Sequence, residues 1–308
     1  MQLKKSIIIL FIFNNMITSL NAQQELQMST YFFNQLYINP AYAGSQKSLV
    51  VNATIRDQWT SFKGAPKSQI LSMHAPLKKD LIGLGFSIIN DKIGARSNKT
   101  VALDLSIGVK LNKKNHRLAL GLKLGLDVYQ TNFNNAKIQD NSEDTYLEGY
   151  NYTKVLPNVG AGLYYYGDRF YLGVSSPRIL KNSFNLPSGQ NALQENHFYF
   201  FGGCVIKLNS LVNMRPSVII KYVNNAPLSI DANLSFLILD KVWIGAMYRY
   251  NSALGMNIIY NITERMSVGY AYDYGLNNIQ KYSAGSHEIM LSYKFKSKSK
   301  GFISPRYF

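Results

Sequence analysis

Histidines, a serine and clustered carboxylates are the side chains that could do chemistry in this chain of 308 residues, and few are spaced for it. The four histidines are His74, His116, His197 and His287, and no two lie at the separation a zinc site uses. Ser72 and His74 share one face of an alternating stretch, but nucleophilic catalysis also needs a group to orient the imidazole and donors for the oxyanion. Nothing nearby supplies either, which favours a polar pair inside the structure. Gly83-Leu84-Gly85 is a G-x-G that runs on into more strand pattern rather than a helix, so it reads as close packing and not as a phosphate loop. Asp140, Glu143, Asp144 and Glu148 offer the oxygen ligands that hard cations prefer, without EF-hand spacing; a solvated loop and a calcium site both fit. Cys204 falls on the same face as Phe198, Phe200 and Ile206, a lipid-side or packing position, and one cysteine makes no internal disulfide. These residues define no catalytic set, no metal centre and no cofactor site, and the chain is expected not to be an enzyme.

The elements that carry them are β-strands. From Val101 to Leu111 the residues Val101, Leu103, Leu105, Ile107, Val109 and Leu111 alternate with Ala102, Asp104, Ser106, Gly108 and Lys110. From Leu118 to Val128 a second run alternates in the same way, with Ala119, Gly121, Lys123, Gly125 and Asp127 on its polar side. Period 2 places the aliphatic residues on one face and the small or charged ones on the other. Eleven residues at about 3.3 Å each, tilted by roughly 45°, rise about 25 Å, the apolar height of an outer-membrane barrel. Lipid would meet the aliphatic face, and a watery or packed lumen would meet the other.

Counted by alternation and by Gly, Asn, Asp and Pro punctuation, about fourteen strands lie between residues 49 and 295. The expected fold is an all-β, transmembrane antiparallel β-barrel of the outer-membrane type. Putting the N-terminus inside gives short inner turns such as Asn112 to His116, Asp240-Lys241 and Thr263 to Arg265. The same choice sends the long connections to the outside: Asp57 to Pro66, Asp91 to Lys99, Phe133 to Thr153, Ser176 to Asn196 and Gly275 to Ser286. A soluble sandwich has no reason to sort its loops this way. The last strand alternates Ile289, Leu291, Tyr293 and Phe295 with Glu288, Met290, Ser292 and Lys294, and closes the sheet against the first.

The chain divides into residues 1–22, 23–48, 49–295 and 296–308. The first piece has Lys4 and Lys5, an apolar run from Ser6 to Phe13 and small polar residues up to Ala22, the order of a secretory signal peptide. Residues 23–48 are polar and aromatic, with Tyr31, Phe32, Phe33, Leu36 and Tyr37 close together, a segment for the periplasm or the lumen. The last piece is a basic tail. The charge of +16 would suit nucleic acid, but an export signal argues against that partner, and basic residues at turns and in the tail suit solvated ends beside outer-membrane lipid. Twenty-two tyrosines against two tryptophans suit aromatic girdles at the bilayer interfaces.

Several motifs together carry a resemblance. They are Asn39-Pro40-Ala41-Tyr42-Ala43-Gly44, then Arg56-Asp57-Gln58-Trp59 with Gly64-Ala65-Pro66, then Ile82-Gly83-Leu84-Gly85 and Asn90-Asp91-Lys92-Ile93-Gly94. Ser286-His287-Glu288-Ile289 leads into Tyr293-Lys294-Phe295 at the end. In order and spacing these are similar to the PorP/SprF family of type IX secretion membrane proteins, densely over residues 23–95 and sparsely beyond. The resemblance implies an outer-membrane component of the type IX secretion and gliding apparatus. It would support secretion or surface attachment of a secreted, adhesin-like protein, together with periplasmic peptidoglycan-linked components. Asn39, Pro40, Tyr42, Gly44, Arg56, Gln58, Trp59, Gly64 and Pro66 are its candidate motif or partner-binding residues. The residues themselves read as structural: Pro40 and Gly44 bend the entry segment, and Tyr42 and Trp59 pack at or within the barrel mouth. A rival expectation is a gated solute porin whose lumen is lined by Lys110, Lys123, Asp104 and Asp127.

Overall fold

The computed structural model describes residues 26–77, 81–111, 116–132, 151–185, 191–193, 195–224 and 226–296. The segments read above as signal peptide, acidic loop and most of the basic tail fall outside the described residues. The wall is built from β1 (Val50–Asp57), β2 (Lys67–Leu77), β3 (Ile82–Ile93), β4 (Arg96–Lys110), β5 (Arg117–Asn132), β6 (Asn151–Tyr166) and β7 (Phe170–Ser176). It continues through β8 (His197–Cys204, extended by Ile206–Lys207), β9 (Val212–Val223), β10 (Ser229–Ile238) and β11 (Val242–Arg249). The last three strands are β12 (Ala253–Asn261), β13 (Met266–Gly275) and β14 (Ser286–Lys294). Each strand pairs antiparallel with its neighbours in the chain, and β1 pairs with β14 from Val50 opposite Lys294 to Asp57 opposite His287. The result is a closed barrel of 14 strands, as the alternation predicts. Closure leaves no sheet edge to lipid, where an unpaired N–H or C=O costs several kcal/mol.

Alternation decides which way each side chain points. On β4, Leu103 is 61% exposed while its neighbour Asp104 is 1% exposed, and Val101, Leu105 and Ile107 face outward as Ala102 and Ser106 face in. The exposed aliphatic residues form the outer surface, and the small and charged ones form the lumen. Aromatic residues sit near both ends of the outer surface: Tyr222, Tyr248, Tyr250 and Tyr274 at one end of their strands, Tyr260, Tyr293 and Phe295 at the other. An apolar ring with a hydroxyl edge is satisfied at such an interface. Among the described residues no helix is long and apolar enough to cross a membrane.

The wall is taller on one side. β4, β5 and β6 have 15, 16 and 16 residues, whereas β1 and β11 have 8 each. This corrects the expected loop from Asp91 to Lys99. β3 and β4 continue in register to Ile93 opposite Arg96, and only Gly94 and Ala95 make the turn, Gly94 at φ +58°. Asn90, Asp91, Lys92, Ser97 and Asn98 are polar because the strands outgrow the bilayer there, not because the chain leaves the sheet.

Candidate functional site: a plugged lumen

Residues 26–48 form no strand. They lie inside the barrel, where Met28, Tyr31, Phe32, Leu36, Ile38, Ala41 and Tyr42 are at most 2% exposed. Two kinds of contact hold them.

Towards the short-turn end, the hold is a steric fit supplemented by neutral hydrogen bonds. Pro40–Tyr42 is a single 3-10 turn capped by Asn39, whose Oδ1 accepts from Ala41 N at 2.9 Å and whose Nδ2 donates to Leu163 O at 2.9 Å. A proline in the first turn comes with its fixed φ and no N–H to satisfy. This backbone rests on the lumen glycines. A Cβ on Gly83 would strike the Ala43 carbonyl, one on Gly121 would strike the Ala41 and Pro40 backbone, and one on Gly162 would strike the Asn39 side chain. The G-x-G of β3 is therefore a close-approach site, as read from the sequence. Gly44, at φ +69°, turns the chain out towards β1, and its N–H donates to His74 Nδ1 at 3.2 Å. Tyr42 meets the rings of His74 and Tyr164 edge-on and accepts from Gln46 Nε2 at 2.9 Å. Ser72 Oγ donates to Asn34 Oδ1 at 3.2 Å. Ser72 and His74 thus hold this segment.

Towards the long-loop end, the hold is polar. The Ser29 N–H donates to Glu288 Oε2 at 2.7 Å, and the Thr30 N–H to Oε1 at 2.9 Å. The Thr30 hydroxyl also donates to Glu288, and the Ser29 hydroxyl donates to Asp273. Arg56 closes the group with Nη2 at 2.7 Å from Asp273 and Nη1 at 3.1 Å from Glu288 and 2.8 Å from Ser29 Oγ. The pairing runs on across neighbouring strands, Arg249 lying 3.7 Å from Asp273 and 3.1 Å from Asp231, and Lys221 lying 2.9 Å from Asp231. Arg249 reaches Asp273 past β12 because Gly255 stands between them without a side chain. Three cations and three anions, all buried, make a neutral belt from β9 round to β1, which is how charges survive away from water.

Between these grips, Arg215 lies 4.5, 4.4 and 4.0 Å from the rings of Phe32, Phe33 and Trp243. A planar guanidinium stacks on rings and a lysine ammonium does not. Arg215→Lys is therefore expected to loosen the segment by roughly 1–2 kcal/mol, read as a lower thermal midpoint of the Trp243 near-UV signal. Lys123 Nζ pairs with Asp104 at 3.4 Å and donates to the Leu36 carbonyl at 3.3 Å. Asp127 accepts from Arg178 at 2.9 Å and from the Thr100 hydroxyl. Of the rival porin lining, Lys123, Asp104 and Asp127 face inward and are engaged, while Lys110 stands exposed at the end of β4. Burial pushes the phenols of Tyr31 and Tyr37 above their ordinary value of 10.0. Their contribution to stability is complete below pH 10 and lost as the pH rises beyond it, so an alkaline titration should loosen the segment only above about pH 10.

The candidate motif residues therefore separate into two groups. Asn39, Pro40, Tyr42, Gly44 and Arg56 are inside the lumen; Gln58, Trp59, Gly64 and Pro66 shape the loop between β1 and β2. That loop is fastened at several points. Gln58 N donates to Pro66 O at 2.9 Å, Trp59 N to Ser286 Oγ at 3.2 Å, Thr60 N to Gly285 O at 2.8 Å and Gly94 N to Gly64 O at 2.9 Å. Trp59 and Ser61 hold φ of +51° and +74°, a costly region for non-glycine residues. Beneath it a cavity of about 620 Å³ opens, lined among others by Trp59, Tyr37, Tyr129, Tyr199 and Arg178. Reading the sequence missed Asp231, Asp273, Arg215 and Arg249; the available signal was a charge on the lumen side of an otherwise apolar strand. Among the described residues no three His, Cys, Asp or Glu side chains come together as a metal site.

A closed antiparallel wall with an aliphatic exterior and a charged, occupied interior defines an outer-membrane β-barrel. The chain belongs to the family described as type IX secretion system membrane protein PorP/SprF, whose sequence profile matches residues 20–293. No curated protein sequence matches it. Solved structures that resemble it include Acinetobacter baumannii outer membrane protein Omp33, at 9% identity and TM-score 0.44 over 82% of this chain and 100% of that one. A Pseudomonas aeruginosa FadL homologue has 11% identity and TM-score 0.47, covering 84% and 93%. The CymD monoaromatic hydrocarbon channel has 11% identity and TM-score 0.47, covering 85% and 99%.

Proposed function

We propose that the barrel works by docking a secreted surface protein at its outer rim, as part of type IX secretion and surface attachment, and not by passing solutes. The observation that carries this reading is the lumen, occupied from Met28 to Ala43 by the chain's own residues. A filled barrel presents its ends rather than its bore. The loop after β1, fixed by bonds to Gly285, Ser286 and Gly94, supports the same reading. Phe62 on that loop is 49% exposed, and Tyr282 and Leu276 on the loop it is tied to are 71% and 46% exposed. Rigid exposed aromatic residues are what a docking surface uses as anchors. In this reading Gln58, Trp59, Gly64 and Pro66 hold the platform, and Phe62, Leu276 and Tyr282 touch the partner. The opposite rim would face periplasmic peptidoglycan-linked components.

The test is affinity purification of a tagged copy from gently solubilised outer membranes, with mass spectrometry and planar-bilayer recording on the same material. Co-recovery of a large secreted protein in near-equal amount, lost in a Phe62→Ala/Tyr282→Ala variant, is the expected result. Recovery of the barrel alone with clear single-channel steps would replace docking with the porin reading.

A further inference from the structure

The two ends of the lumen segment are held by different physics, and that difference has a use. From Tyr31 to Gly44 the chain is interlocked, with the Tyr31 ring edge-on to Phe32, rings stacked on Arg215 and backbone pressed onto Gly83 and Gly121. From Leu26 to Thr30 it is clasped instead. Glu288 takes the Ser29 and Thr30 amides, Asp273 takes the Ser29 hydroxyl, and Arg56 ties both carboxylates together. Polar bonds can be exchanged for bonds to water or to another donor, whereas a steric interlock has no such substitute. Leu26 also lines the 620 Å³ outer cavity, so this end already borders open space.

We propose that Leu26–Thr30 is a releasable strap, closed by the clasp of Glu288, Asp273 and Arg56, that swings into the outer cavity while Tyr31–Gly44 stays seated. Release would uncover the belt of charges at the long-loop end and deepen the outer cavity. It would not open the bore, because the interlocked part remains.

Single cysteines placed in a Cys204→Ser background test this in the full-length protein reconstituted in lipid, with a membrane-impermeant maleimide as probe. Met28→Cys reports the strap and Ala43→Cys the seated part; both positions are buried. Removing the clasp by Glu288→Gln is expected to speed labelling at position 28 about tenfold or more, the effect of losing charge-assisted hydrogen bonds. Labelling at position 43 should stay unchanged and the bilayer silent. If Glu288→Gln fails to give the heat-modifiable folded band, Ser29→Ala/Thr30→Val weakens the same clasp without touching the wall. Equal acceleration at both positions, or current through the barrel, would mean that the whole segment leaves as one body and would overturn the strap. No acceleration at position 28 in a folded variant would overturn it equally.

Discussion

Replacing Arg56 with methionine is expected to destabilise the folded barrel by about 3–5 kcal/mol, the cost of removing one partner from a buried ionic group. Arg56 is 2% exposed and its guanidinium bridges two carboxylates from different strands, Asp273 at 2.7 Å and Glu288 at 3.1 Å. Methionine fills the volume and leaves the Glu288 charge without its direct ion-pair partner, held by hydrogen bonds from Ser29 and Thr30. Arg56→Lys should recover only part of the loss, because one ammonium cannot span both acids in the planar fork geometry. The readout is the urea midpoint of the heat-modifiable band in detergent. Pairing Arg56→Met with Glu288→Gln should restore a measurable share of the stability, since the two residues are directly coupled. Wild-type stability in Arg56→Met would mean that the belt is hydrated and its charges are screened.

The second large effect is expected at Gly121. A single methyl there meets the Ala41 and Pro40 backbone, which has no side chain to turn aside. Gly121→Ala should unseat the Asn39–Gly44 part, lower stability by about 1–3 kcal/mol as overpacking does, and give a conducting barrel where the native one is expected to be silent. Gly108→Ala is the control on the neighbouring strand, where a Cβ would sit at an ordinary 3.6 Å from Ala119. A silent, fully stable Gly121→Ala barrel would show that the segment is not seated on β5.

Much of the wall was legible because membrane strands repeat a two-residue rule in a uniform solvent. Leu103, Leu105 and Ile107 face lipid for the reason their spacing announces, and His287 to Phe295 was readable as the closing strand for the same reason. The turn at Gly94 was not, since outside the bilayer polar residues no longer distinguish a strand from a loop. The lumen segment was legible only in part: the crowding of Tyr31, Phe32, Phe33, Leu36 and Tyr37 left the periplasm and the lumen both open and said nothing of its path. It has no period because its own bonds are isolated turns, such as Phe33 N to Thr30 O and Asn39 N to Gln35 O, and its remaining partners lie on the wall. The belt was least legible of all. Arg56 and Glu288 are 232 positions apart, and only the register of β1 on β14 brings them opposite each other.

That same register bears on how the molecule is made. Neighbouring strands zip locally, but joining β1 to β14 closes a loop of almost the whole sequence, the contact with the highest entropic cost and so the one expected to form last. The lumen segment is covalently joined to β1, and its bonds reach β14 through Glu288 and β13 through Asp273. It thus offers the two ends of the sheet a shared surface before they meet. A chain lacking residues 26–44 is therefore expected to close its wall more slowly than the full chain, even where the finished wall would be stable, read as delayed appearance of the heat-modifiable band.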